Sequence, residues 1–194
     1  MLLWFCGLRI GEALGLRKED LHFMDHASAL GCSLPGPHLH VVRREDNPNH
    51  ASAKSRHNRS VPVGAILLAY YDRYAEERLA CASANRSDFV FVNLFHAPLG
   101  APMSASAVRQ GLRTLSRRAG LARAVHPHML RHSAGSKMAE AGVAIDVVQE
   151  LLGHRSITST QIYVHPSRAR MRQAVEAVEA LSVKRREQRR KEQG

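Results

Sequence analysis

Apolar and polar positions alternate with different periods along this chain, and the periods divide it into elements. Residues 1–7 read as the end of an apolar element. From Ile10 to Arg17 the spacing of Ile10, Ala13, Leu14 and Leu16 is helical, with Gly15 weakening its end. Residues 26–37 hold Gly31, Pro35, Gly36 and Pro37 and form a loop. His38–Arg43 and Arg59–Val63 alternate as short strands around the polar excursion 44–58. Leu67, Leu68, Tyr71, Tyr74 and Leu79 mark one long helix, and Asp88–Asn93 reads as a third strand. Ser104 begins a helix to about Ala119, stopped by Gly120. Two further helices, His128–Ala141 and Ile145–Leu152, are stopped by Gly142 and Gly153. Ser156 is placed to cap a short helix through Tyr163, and 168–190 is strongly helix-prone. These elements predict a mainly α chain with a small antiparallel β-sheet, an α+β fold, and show no internal repeat.

Charge changes the picture more than composition does. Of 194 residues, 28 are Lys or Arg and 17 are Asp or Glu, a formal net charge of +11. Such an excess suits a polyanionic partner, because each phosphate neutralised releases condensed counterions. Cys6, Cys32 and Cys81 are odd in number and widely spaced, with no Cys-x-x-Cys pair, which argues against a disulfide framework or a zinc module and fits a reducing, cytoplasmic setting. The opening apolar run lacks a basic leader, and the stretch from Val61 to Tyr71 is too short to span a bilayer, so no membrane association is expected.

The most informative stretch is His128-Met129-Leu130-Arg131-His132, followed by Leu151-Leu152-Gly153-His154 and then by Tyr163. On a helix, His128 and Arg131 share a face. His154 follows a glycine helix stop, where a side chain can project into a cleft, and Tyr163 is close enough in sequence to fold back on it. Cleaving a phosphodiester needs such a set: an attacking group, donors for the nonbridging oxygens, and an acid for the leaving oxygen. Singly, each residue has a plain reading as surface or core; the ordered combination is what carries the argument. A helix-turn-helix regulator built on 128–165 is an alternative reading, but it leaves this spacing unexplained.

This half of the chain resembles the signature of the tyrosine recombinase (phage integrase) family, and two further motifs extend the likeness. Gly7-Leu8-Arg9-Ile10-Gly11-Glu12 matches the family's early arginine pattern and aligns Arg9. Lys54-Ser55-Arg56-His57-Asn58-Arg59-Ser60-Val61-Pro62 matches its hairpin lysine pattern and points to Lys54, with Arg56 as the rival cation. The resemblance implies a tyrosine recombinase catalytic-domain fold over 1–180 and a catalytic set of Arg9, Lys54, His128, Arg131, His154 and Tyr163.

In the implied chemistry Tyr163 attacks the scissile phosphate to form a 3′-phosphotyrosyl bond. Arg9 and Arg131 clamp the nonbridging oxygens with guanidinium forks, and His154 adds a donor. His128 assists proton removal from the tyrosine, whose ordinary pKa of about 10 makes it a weak nucleophile. Lys54 protonates the leaving 5′-oxygen. The expected function is site-specific DNA recombination of the integrase or transposase type. Double-stranded DNA is the expected partner, and a homo-oligomer, tetrameric in the synapse, the expected assembly.

No cofactor or metal is expected in that scheme. His126, His128 and His132 resemble a ligand set, but no carboxylate or thiolate lies alongside, so zinc is not expected there. Glu12 is expected to pair with a neighbour in the fold. His132 is open between a place behind the active site and a packed helix position. Residues 181–194 read as a basic tail, with six basic residues and one acidic over 184–191. The family's N-terminal core-binding domain is expected to be absent and the catalytic domain's N-terminal edge truncated. The alternative function is accordingly a truncated, catalytically inactive DNA-binding fragment.

Overall fold

Helices and a single sheet are assembled here in a computed structural model that describes residues 1–24, 30–52 and 58–153. In chain order the elements are α1 (Leu2–Phe5), α2 (Ile10–Leu14), a 3-10 turn (Lys18–Asp20), β1 (Leu21–His22), β2 (His38–Val41) and β3 (Arg59–Pro62). There follow α3 (Ala65–Leu79), α4 (Ala82–Asn85), α5 (Ala105–Arg118), α6 (Pro127–Glu140) and α7 (Ile145–Leu152). The described residues fall within one compact unit of the chain. Their architecture is the predicted α+β one. Among them, no helix is long and apolar enough to cross a membrane.

The sheet has order β1-β2-β3 and is antiparallel throughout. Leu21 pairs with Leu39 and His22 with His38; Leu39 then pairs with Val61, His40 with Ser60 and Val41 with Arg59. Because side chains alternate along a strand, this register sorts them onto two faces. Leu21, Leu39, Val41, Arg59 and Val61 lie on one; His22, His38, His40 and Ser60 lie on the other. The first face is the core face. It packs with Leu3, Cys6, Leu8, Ala13, Leu16, Leu67 and Val90, and with Leu130 of α6 and Leu151 of α7. Leu8, Leu16 and Leu39 are fully buried, each contributing roughly 1.5–3 kcal/mol of transfer free energy.

Helix boundaries follow local chemistry. The Ser104 hydroxyl accepts from the Ala107 amide at 3.1 Å and caps α5. Pro127 opens α6 at a position where no amide is needed. Gly153 closes α7 in the left-handed region at φ 61°.

Two expectations are corrected, and β1 is added to them. The helix expected over Ile10–Arg17 stops at Leu14. Asn49 Nδ2 takes the Leu14 carbonyl at 3.1 Å, and the Arg17 amide donates to Asp20 Oδ2 at 2.8 Å to begin the 3-10 turn. The strand β1 carries no clear alternation of its own and was not expected. The third strand expected at Asp88–Asn93 does not form; Phe89 and Val92 make only isolated bridges, to Arg17 and Pro102. Two of its carbonyls, those of Phe89 and Val90, go to side chains. Arg78, buried, donates to the carbonyls of Ala84, Ser87, Phe89 and Val90 at 2.6–2.7 Å, and the Tyr74 hydroxyl donates to Val90 at 2.8 Å. Main-chain groups satisfied by side chains in this way are not available to a ladder.

Candidate active site

The last turn of α7 leaves backbone carbonyls without helical partners. Three arginines from three different elements take them. Arg59 of β3 donates from Nε to the Leu151 carbonyl at 3.1 Å, and Arg131 of α6 from Nη2 to Leu152 at 2.7 Å. Arg9, at the start of α2, donates from Nη2 to Gly153 at 3.0 Å. The cations also meet the negative end of the helix dipole. The segment entering His154 is therefore held from three directions.

The same arginines converge on Glu12, whose side chain has no exposed surface. Arg59 binds it with both terminal nitrogens, at 3.1 and 2.9 Å, in the parallel fork geometry of strong carboxylate pairs. Arg9 reaches it through Nη1 at 2.9 Å and through its backbone amide at 2.8 Å, so that Glu12 closes one half of a capping box on α2. Arg131 stands 3.9 Å away. Burial alone would raise the Glu12 carboxyl; the Arg59 fork and charge, with the Arg9 amide and guanidinium, outweigh it and hold the group below its ordinary value. The expected pairing of Glu12 within the fold is what the structure contains.

Arg131 also donates from Nη1 to the Gly7 carbonyl. Gly7 turns at φ 61°, and a Cβ there would lie 2.3 Å from Leu152 Cδ2 and 3.5 Å from Ala134 Cβ. A glycine and a small residue on α6 thus let the chain between α1 and α2 close against α7. Three guanidinium groups face one carboxylate, an excess of positive charge at one helix end. Arg59 and Arg131 are almost fully buried, whereas the Arg9 side chain keeps 27% of its surface exposed. An anion approaching from solvent therefore meets Arg9 first.

Of the six residues singled out in the sequence, the structure brings Arg9 and Arg131 together on Glu12 and α7. His128 lies on α6 one turn before Arg131, on the surface. Lys54, His154 and Tyr163, with the rival Arg56, lie outside the described residues. His132 is exposed, 3.4 Å from the Ser136 hydroxyl, so its packed-position reading does not hold. Arg59 was overlooked as part of this group. Its signal was present: alternation with Val61 and Val63 turns a charged residue toward the core, where it requires a buried partner.

The description Phage integrase family matches residues 1–170, and the chain belongs to that family. It is 32% identical over 168 residues to the tyrosine recombinase XerD of Chlorobaculum tepidum, covering 86% of this chain and 47% of that protein. It is 35% identical over 165 residues to the tyrosine recombinase XerC of Xylella fastidiosa strain M23, covering 84% and 46%. The chain thus spans about half the length of the curated relatives it matches. Among solved structures it is similar to the Tn1549 transposon integrase in complex with a circular intermediate DNA, with TM-score 0.69, 21% identity and coverage of 91% and 56%. It is also similar to XerH recombinase bound to palindromic difH substrate, with TM-score 0.64, 24% identity and coverage of 92% and 44%. These likenesses show a shared fold.

Proposed function

We propose that this chain is the catalytic module of a site-specific DNA recombinase, which cuts and rejoins double-stranded DNA through a 3′-phosphotyrosyl intermediate. The observation that carries the reading is the shared anchoring of Arg9 and Arg131. Both guanidiniums are tied to one helix end and grouped about one carboxylate, Glu12. Donors held in advance cost little reorganisation when charge develops on a phosphate. In this reading Arg9 and Arg131 take the nonbridging oxygens, and Tyr163 attacks the phosphorus. His128 assists loss of the tyrosine proton, His154 adds a donor, and Lys54 protonates the leaving 5′-oxygen. The covalent bond conserves phosphodiester energy, so rejoining requires no nucleotide. The net charge of +11 suits a duplex partner, and assembly as a tetramer on paired sites belongs to the same proposal.

The second reading is a DNA-binding fragment without catalysis, which the net charge of +11 suits with no role for Tyr163. Covalent trapping separates the two. The chain is incubated with nicked duplexes from DNA flanking its gene, and a denaturant-resistant protein–DNA adduct is sought, with Tyr163→Phe as control. An adduct abolished by Tyr163→Phe is the expected result. Salt-sensitive DNA binding with no adduct, from the chain alone or joined to any upstream-encoded segment, selects the fragment.

A further inference from the structure

The face of the sheet turned away from the core carries a group that the recombination chemistry does not use. His22 from β1 and His38 and His40 from β2 lie on it, and Cys32 reaches the same point from the loop before β2. One ligand atom from each of the four lies within 4.8 Å of the others. Cys32 Sγ is 3.4 Å from His38 Nε2 and 3.6 Å from His40 Nε2. His38 Nε2 is 3.2 Å from His40 Nε2, which is 3.3 Å from His22 Nδ1. Tetrahedral zinc, with Zn–N of about 2.0–2.1 Å and Zn–S of about 2.3 Å, sets its nitrogen ligands roughly 3.3 Å apart and nitrogen from sulfur roughly 3.6 Å. These four contacts have those edge lengths, and the remaining two separations stay within 4.8 Å.

Hydrogen bonding within the group does not account for the convergence. His38 Nδ1 lies 2.7 Å from the Gly36 carbonyl, which only accepts, so that nitrogen carries the proton and Nε2 the lone pair. His40 Nε2 faces three partners at once, and one N–H serves only one of them well. Among the described residues no carboxylate belongs to the group, although Asp20 is near enough to His40 to act on it electrostatically. His22 and His38 are nevertheless buried, at 7% and 3% exposure. A shared cation satisfies every lone pair together. The outer contacts fit the same purpose: Gly36 orients His38, and the Ser60 hydroxyl lies 3.1 Å from His40 Nδ1, the kind of support that aims and strengthens imidazole ligands.

We propose that His22, Cys32, His38 and His40 bind one zinc ion in a closed tetrahedral site that fastens the loop before β2 to the outer face of the sheet. With four protein ligands no coordination position remains for substrate, so the site is structural. On binding, the Cys32 thiol releases its proton to solvent and ligates as thiolate. The ion ties β1 to β2 through His22, His38 and His40. The histidines considered in the sequence analysis, His126, His128 and His132, take no part.

The test uses the full chain stripped with a chelator and titrated with cobalt(II), then with zinc. One cobalt per chain is expected, with the intense visible bands of tetrahedral cobalt and a thiolate charge-transfer band in the near ultraviolet. Zinc should displace it and raise the melting temperature. Cys32→Ser should lose the charge-transfer band and most of the zinc-induced shift, while His126→Ala retains both. Absorption fine structure of the zinc-loaded wild-type chain, which needs no variant, should show one sulfur and three nitrogens. Absence of stoichiometric cobalt and zinc binding, or a metal shell without sulfur, overturns the proposal.

Discussion

The two faces of the three-stranded sheet bury polar groups in opposite ways. On the core face, Arg59 enters an apolar interior and finds Glu12, which also holds Arg9 and stands beside Arg131. Charge of both signs is present, and nearly every buried donor meets an oxygen of the same chain. On the outer face, His22, His38, His40 and Cys32 bring together atoms of one kind, each offering a lone pair. The first arrangement is complete in itself and holds Arg9, Arg59 and Arg131 at the end of α7. The second becomes complete with a cation. Both follow from the alternation of side chains along the strands, so the sheet joins an arginine–carboxylate network on one side to a histidine–cysteine group on the other.

The largest effect should come from opening the core-face network. Glu12→Ala leaves Arg59 and Arg131 buried without their shared carboxylate. Breaking a buried ion pair from one side costs about 3–5 kcal/mol, so urea unfolding should show a loss of that order. The metal-free Cys32→Ser chain, altered on the other face, should change by roughly 1 kcal/mol or less. A loss below about 1 kcal/mol for Glu12→Ala would place the network with ordinary surface ion pairs, and the contrast between the faces would collapse.

How far the sequence reveals these features depends on whether their causes are local. α7 is read to the residue because Gly153 supplies a left-handed stop, and α5 begins where Ser104 caps it; both signals act within a few positions. In the segment Asp88–Asn93, where a strand was expected, the carbonyls of Phe89 and Val90 are taken by Arg78 and Tyr74 of α3, a partnership that no local pattern announces. In the site, Arg9 and Arg131 were legible as members of an ordered motif. Arg59 was not, because its role depends on β3 packing against α2 and α7. The metal-ready group was the least legible. His38-Leu39-His40 on an alternating strand already puts two imidazoles on one face, but His22 and Cys32 join them only through strand pairing and a loop with no periodic signal.

An intermediate effect is expected where the network meets the helix end. A Cβ at Gly153 would stand 2.7–2.8 Å from the Arg59 guanidinium, at a φ of 61° that side chains rarely adopt. Arg59 is pinned by Glu12 and the Leu151 carbonyl, so it cannot swing aside without breaking those contacts. Gly153→Ala should therefore cost about 1–3 kcal/mol, read from the urea midpoint, and should slow adduct formation by disturbing the segment that enters His154. A stability unchanged from wild type would mean that Arg59 yields freely and does not anchor the end of α7.

The smallest effect, absent near neutrality, is the acid sensitivity of the same carboxylate. The Glu12 pKa is lowered in the fold, so in acid the unfolded chain binds a proton that the folded chain refuses. The stabilisation is complete above the unfolded glutamate pKa of about 4.3 and is lost as pH falls through the lower folded value. Glu12→Gln keeps an oxygen acceptor without the titration. Unfolding free energies measured from pH 7 into this acid window should therefore fall more steeply for the wild-type chain than for Glu12→Gln. Parallel profiles would mean that the three arginines do not hold the carboxylate ionised. In that case the core face, like the outer one, would need a charge from outside the chain.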